Sequence, residues 1–239
     1  MKRILNFKIL PQPTETTCGP TCLHSVYRFY GEELELSRVI DEVDSLAEGG
    51  TLAVILGNHA LQRGYRARIY SYNLNMFDPT WFKSPRGDLR LNLEAQRKVK
   101  KYKKFQLASE AYIEFLDLGG QIKFQDMTPA LLRGFIESGI PILTGLSATY
   151  LYQSARELPD TNEYDSISGE PSGHFVVLSG YDRQTRKIRV ADPFSHNPFS
   201  NKHYYWVDMQ RLIAAVLLGV VTYDGNLLII EPRENKKSK

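Results

Sequence analysis

Hydrophobic positions recur with helical spacing through much of the first half of the chain and alternate with polar ones through most of the second. From Cys18 onward, Cys22, Val26, Phe29 and Tyr30 fall on one helical face, Gly31 follows as a stop, and Thr17 stands where a cap belongs. Residues 36–46 and 51–63 read as two further helices, the second closed by Gly64. Two alternating runs, "ILNFKIL" and "YRARIYSY", read as strands. Residues 73–118 read as mainly helical and predict an inserted lobe that ends at Gly119 and Gly120. The remainder predicts a strand "QIKF", a helix 128–139 with Thr128 as cap and Pro129 at its first position, and a strand "IPILTGLS". A short helix and a long loop follow, then a hairpin of "HFVVLSGYD" and "KIRVADP" across "RQTR", a helix capped by Asp208, and a last strand "NLLIIEP". Helices first and mostly antiparallel strands afterwards predict an α+β domain over residues 1–232, with 233–239 a disordered tail.

Composition narrows the function classes. With 239 residues, 42% of them hydrophobic, the chain can bury one substantial core. A net charge of +3 does not by itself point to nucleic acid. The start, "MKRILNFKILPQP", lacks the unbroken apolar run of a secretory signal, and the longest apolar run, 212–221, falls far short of the roughly 20 residues a membrane span needs. A cytoplasmic location without a membrane span is expected. The two cysteines, Cys18 and Cys22, would be thiols in a reducing compartment, and without further ligands at suitable spacing they make a poor zinc site. Neither a metal nor an organic cofactor is expected.

Cys18 opens a helix in "PQPTETTCGPTCL". First-turn N–H groups and the positive end of the helix dipole favour thiolate there, Gly19 carries no side chain in front of the sulfur, and Pro20 is tolerated in the first turn. Position alone leaves a nucleophile and a small packing residue both open. A thiolate nucleophile needs an imidazole. Of five histidines, His24 points to another side of the same helix, His59 is mid-helix, and His196 and His203 lie in a polar loop. His174 opens the strand of the hairpin, where it can project into a cleft. With a hairpin turn near residues 184–185, its cross-strand partner is expected near position 195, within reach of Asp192 at the end of the next strand. Asp192 then either orients the imidazole or, with Pro193, only marks a turn. Gln12, on the incoming loop, and the Cys18 N–H are candidate donors to an oxyanion.

Taken together, Gln12, Cys18 six residues on, His174 and Asp192 give a layout that resembles the papain-like cysteine peptidase clan, and within it the C39-like peptidases. "Q-x5-CGPTCL" looks like their nucleophile segment, "GHFVVLSGYD" their histidine strand and "VADP" their aspartate turn. The resemblance covers the first helix, the hairpin and the closing elements, and leaves the middle of the chain out. It implies a papain-like fold, with N-terminal helices packed on an antiparallel sheet, and a thiol peptidase or amidase acting on a peptide or small amide. Cys18 would be its nucleophile, His174 its general base and acid, Asp192 the orienting carboxylate and Gln12 the oxyanion donor. Three features depart from the pattern. Thr17 stands where many relatives carry an acid, no transporter accompanies the domain, and Cys18 and His174 are 156 residues apart. Cleavage after a double glycine is therefore not implied, and "EGG" at 48–50 and "LGG" at 118–120 read as helix-ending turns. An acyl transferase of the phytochelatin synthase type would use the same acyl-enzyme, and a non-catalytic peptide-binding module is the third reading.

The basic stretch at Arg97, Lys98, Lys100, Lys101, Lys103 and Lys104 is followed at once by Glu110, Glu114 and Asp117, and reads as a solvated helix face. Cys22, one turn beyond Cys18, reads as packing beneath the site. Tyr150 and Tyr152 either line a cleft or pack.

Overall fold

The first alternating run forms only a short strand, β1 (Lys2–Ile4), in a computed structural model that describes residues 2–46, 49–83, 88–200, 202–223 and 225–233. Beyond Ile4 the alternation persists in burial, with Leu5, Phe7 and Ile9 all in the core. Leu5 N–H still follows the β1–β5 register, donating to Ser179 O at 2.8 Å, whereas Ile9 N–H donates to the Tyr204 hydroxyl at 2.9 Å. The expected tail lies outside the described residues apart from Arg233.

Three helices follow, α1 (Cys18–Phe29), α2 (Leu36–Glu42) and α3 (Ala53–Gln62). Helix α2 stops four residues short of the 36–46 predicted. Every residue of α1 from Cys18 to Tyr27 is buried, so this helix runs through the core instead of lying on it. Close packing at its start depends on Gly19: a Cβ there would lie 2.6 Å from Thr51 Cγ2 and 3.3 Å from the Phe175 ring. The missing side chain lets the start of α1 pack closely against Thr51 and Phe175. After β2 (Tyr65–Ser71), residues 73–118 form a 3-10 turn and two helices, α4 (Leu89–Val99) and α5 (Lys103–Asp117). Asp88 caps α4 by accepting from the N–H groups of Arg90 and Leu91. Phe77, Phe105 and Phe115 from this stretch enter the same continuous core as α3 and β2. Its basic residues are partly tied down: Arg97 pairs with Glu110, and Lys100 Nζ donates to Asn75 O at 3.0 Å.

The second half alternates as β3 (Gln121–Lys123), α6 (Pro129–Glu137), β4 (Ile142–Ser147), α7 (Ala148–Tyr152), β5 (Gly173–Asp182), β6 (Lys187–Ala191), β7 (Tyr204–Asp208), α8 (Met209–Leu218) and β8 (Asn226–Pro232). The strands form one sheet in the order β3-β2-β8-β4-β5-β6-β7, with β1 added alongside β5. The pairings are antiparallel except β2 with β3. This is the α+β arrangement expected, with one unexpected strand, β7. Strand β5 is buried from His174 to Tyr181 and has β4 on one edge and β6 on the other. Among the described residues no helix is long and apolar enough to cross a membrane.

Candidate active site

The site forms where the start of α1 meets the open end of the β5–β6 hairpin. Near the turn, facing residues have numbers that sum to 369, as with Tyr181 and Ile188. An irregularity between Leu178 and Gly180 then shifts the register by one, so that Val177 faces Ala191. That bulge draws Asp192 one position nearer to His174 than the even ladder would. His174 Nε2 donates to Asp192 Oδ1 at 2.8 Å. The Cys18 side chain is near enough to the imidazole to raise its pKa, as Asp192 does. All three residues are nearly closed off, at 8% exposure for Cys18, 7% for His174 and 0% for Asp192.

The electrostatics follow from that burial. Desolvation opposes charge on the His174 ring, but the Asp192 carboxylate, the bond to it and the Cys18 side chain outweigh it and raise the imidazole to about 10. Burial likewise opposes charge on Asp192, and the charge of the His174 ring with hydrogen bonds from His174, Tyr205 and Tyr152 holds its carboxyl below the usual range. Oδ1 also accepts the Phe194 N–H at 2.9 Å, and Oδ2 accepts the Tyr152 hydroxyl at 2.7 Å and the Tyr205 hydroxyl at 2.6 Å. The backbone of Asp192 is fixed as well: its N–H donates to His203 O at 2.8 Å and its carbonyl accepts from His203 Nδ1 at 2.7 Å. A buried carboxylate with every acceptor position filled is a rigid, permanent anion.

Gln12 lies beside this group. Its backbone N–H donates to Pro193 O at 3.0 Å, so the approach loop is fastened to the aspartate turn. Its side-chain Nε2 donates to Thr14 O at 3.0 Å and Glu15 O at 3.4 Å. Thr17 does not cap α1 with its hydroxyl. That group donates to Thr14 O at 2.9 Å and accepts the Thr14 N–H at 3.1 Å, which braces the loop and leaves the first-turn N–H groups of α1 without that cap. Gln12, His174 and Tyr152 line one cavity of about 230 Å3.

The other candidates are placed apart. Cys22 is fully buried, its Sγ donates to Phe175 O at 3.3 Å, and burial followed by the charges of Cys18 and Asp192 pushes its thiol up. His24 Nε2 bonds Leu34 O at 2.8 Å, and His59 lies between the Tyr27 hydroxyl and Glu42. Tyr152 and Tyr205 are the contributors that sequence reasoning left undecided or missed. The signal for Tyr205 was the run "HYYWVD", whose three aromatics and valine are strand formers and whose burial alternates along the edge strand β7.

The two hydroxyls predict a measurable effect. Tyr205→Phe should lower kcat/KM about threefold to tenfold, and the Tyr152→Phe, Tyr205→Phe pair more than either alone, because each removes a hydrogen bond to a charged acceptor. Loss of both makes the carboxylate more basic, so the pH profile of kcat/KM should move to higher pH. A double variant with an unmoved profile would show that the tyrosines only fill space.

Comparison with known proteins places this geometry in context. No curated protein matches the sequence. Among solved structures, the fold is similar to that of a C39-like peptidase candidate from Bacillus anthracis, with a TM-score of 0.54, 14% identity and 98% of each chain covered. Lower structural scores link it to the peptidase domain of Streptococcus ComA, a bifunctional ABC transporter of a quorum-sensing pathway (TM-score 0.45, 13% identity, 95% of this chain and 100% of that one). Xylellain, a cysteine protease from Xylella fastidiosa, matches with a TM-score of 0.43 and 15% identity over 98% of this chain and 86% of that one. The α+β fold is thus papain-like. The family model described as Peptidase_C39 like family matches residues 4–216, most of the chain, and the chain therefore belongs to the Peptidase_C39 like family.

Proposed function

We propose that this family member is an active cysteine peptidase or amidase that uses Cys18 as nucleophile, with peptides as its substrates. The observation that carries this reading is the buried His174–Asp192 pair, its carboxylate fully hydrogen-bonded, with the buried Cys18 near enough to the imidazole to raise its pKa. Such a ring stays protonated through neutral pH and so pairs with a thiolate. The thiolate adds to the scissile carbonyl, and the oxyanion forms at the start of α1, where the Cys18 N–H is a donor. Gln12 is the second donor. Its 3.4 Å bond to Glu15 O is the weaker of its two and is exchanged for the oxyanion. His174 then gives its proton to the departing amine as the C–N bond breaks, leaving a thioester on Cys18. Water, giving a proton to the same ring, attacks the thioester, and collapse of the second intermediate releases the acid and restores the thiolate and imidazolium.

Iodoacetamide under native conditions tests the reading. Alkylation at neutral pH should fall on Cys18 and be lost in Cys18→Ala, while Cys22→Ala should keep it. Native-state labelling that falls mainly on Cys22 would overturn the assignment.

A further inference from the structure

The loop between α7 and β5 accounts for part of the long spacing between Cys18 and His174, and it is a built element. Glu157 N–H donates to Glu170 O at 3.0 Å and Glu170 N–H returns to Glu157 O at 2.8 Å. Leu158 N–H donates to Glu163 O and Asp165 N–H to Arg156 O, each at 2.8 Å. The fold of the loop requires a glycine at 169, where a Cβ would lie 2.5 Å from Asp165 O. Inside it, the Arg156 guanidinium is used on the carbonyls of Ser166 and Ile167, at 2.6 and 3.1 Å.

This loop brings Glu157 and Asn162 to the wall of the same 230 Å3 cavity that His174 and Gln12 line, and the approach loop brings Glu15. Among the described residues lining that cavity, the charged groups are the carboxylates of Glu15 and Glu157 and the His174 imidazolium, with no lysine or arginine, so acid outnumbers base. Ser172 Oγ donates to Glu157 Oε1 at 3.1 Å, which orients the side chain and leaves its second oxygen for a ligand. Gln12 Oε1 is a buried acceptor without a partner in the same place. Two carboxylates and an unused carbonyl oxygen, beside the imidazole that would protonate a leaving amine, form a receptor for a hydrogen-bonding cation. The cavity volume suits one long side chain, and the Phe194 ring gives its stem an apolar wall.

Resting on the peptidase reading above, we infer that residues 154–172 are a specificity loop whose Glu157, with Glu15, selects peptides that carry a lysine or arginine side chain next to the scissile bond. An acidic side chain in that position meets two like charges in a partly closed cavity and is rejected.

The test uses internally quenched peptides, acetylated and amidated so that no terminal charge contributes. They are varied as Lys, Arg, Gln or Glu at the two positions on either side of the cleaved bond. At one position the Lys or Arg peptides should exceed the Gln peptide by about tenfold or more in kcat/KM, and the Glu peptide should be poorer still. The ratio should shrink as salt is raised. The Glu15→Gln, Glu157→Gln double variant should bring Lys and Gln peptides within about twofold of one another, and Glu157→Lys should favour the Glu peptide. Equal rates for Lys, Gln and Glu peptides at every position would overturn the inference while leaving the peptidase reading in place. Cleavage of no peptide by the native protein, or cleavage that persists when Cys18 is absent or alkylated, would remove both.

Discussion

Replacing Cys18 by alanine is expected to lower peptide turnover by a factor on the order of 10^4 or more, because removal of the nucleophile from a relay that works as a unit eliminates nearly all of its effect. The far-ultraviolet circular dichroism and the unfolding midpoint should change little. The side chain is small and 8% exposed, and alanine fits a position already meant for a helix start. Cys22→Ala should do the opposite. Its sulfur is fully enclosed and donates to Phe175 O, so its loss leaves a small void, removes that bond and lowers stability by about 1–2 kcal/mol. Turnover should remain within a few-fold of the parent protein. The two cysteines are one helical turn apart, and their contrast is environmental: one faces the imidazole, whereas burial holds the other protonated. Cys18→Ala protein that retains more than a hundredth of the parent rate would rule out acyl-enzyme chemistry at this residue.

The residues that meet in the site were legible because each ends or opens a regular element. Cys18 opens a helix, His174 opens a strand, and Asp192 follows the strand paired with it. Hairpin arithmetic brought the last two within reach, and the bulge beyond Leu178 brought them closer than an even ladder allows. A bulge has no signature in hydrophobic alternation, since Ser179 and Gly180 are as buried as their neighbours. The groups that hold Asp192 were harder to read. Tyr205 sits on β7, five residues long and separated from β6 by an irregular segment, so the pattern gave no hairpin to infer. Tyr152 lies on a single helical turn where periodicity says little. At Thr17 the residue type fitted a cap, yet its hydroxyl found Thr14 as a nearer partner. The tyrosines were decided by a distant partner, Asp192, and Thr17 by a local side-chain bond to its own approach loop.

Asp192 is where stability and the proposed chemistry meet, and its removal should have the largest structural effect of any single change in the site. Asp192→Ala strands the Tyr152 and Tyr205 hydroxyls, the Phe194 N–H and the His174 ring in a closed interior, and is expected to cost about 3–5 kcal/mol. Asp192→Asn keeps the volume and accepts some of those bonds, so it is the variant in which pH dependence can be read. The His174 ring goes from an ordinary 6.5 in the unfolded chain to about 10 in the fold, so its contribution to stability is full below 6.5 and fades as pH rises through about 10. Asp192 shifts the other way, downward from 3.8, so its contribution is present above 3.8 and fades as pH falls through the lower folded value. The pair therefore stabilises most between those ordinary values. The stability difference between native protein and Asp192→Asn in urea should be largest near pH 5–6 and shrink toward pH 10. The same substitution takes away the charge that keeps the ring protonated, so the alkaline limb of kcat/KM, set near 10 in the native protein, should move toward neutrality. A stability difference that is the same at both ends of the range, with an unmoved alkaline limb, would mean that Asp192 carries no charge that His174 senses, and the relay on which the peptidase reading depends would lose its anchor.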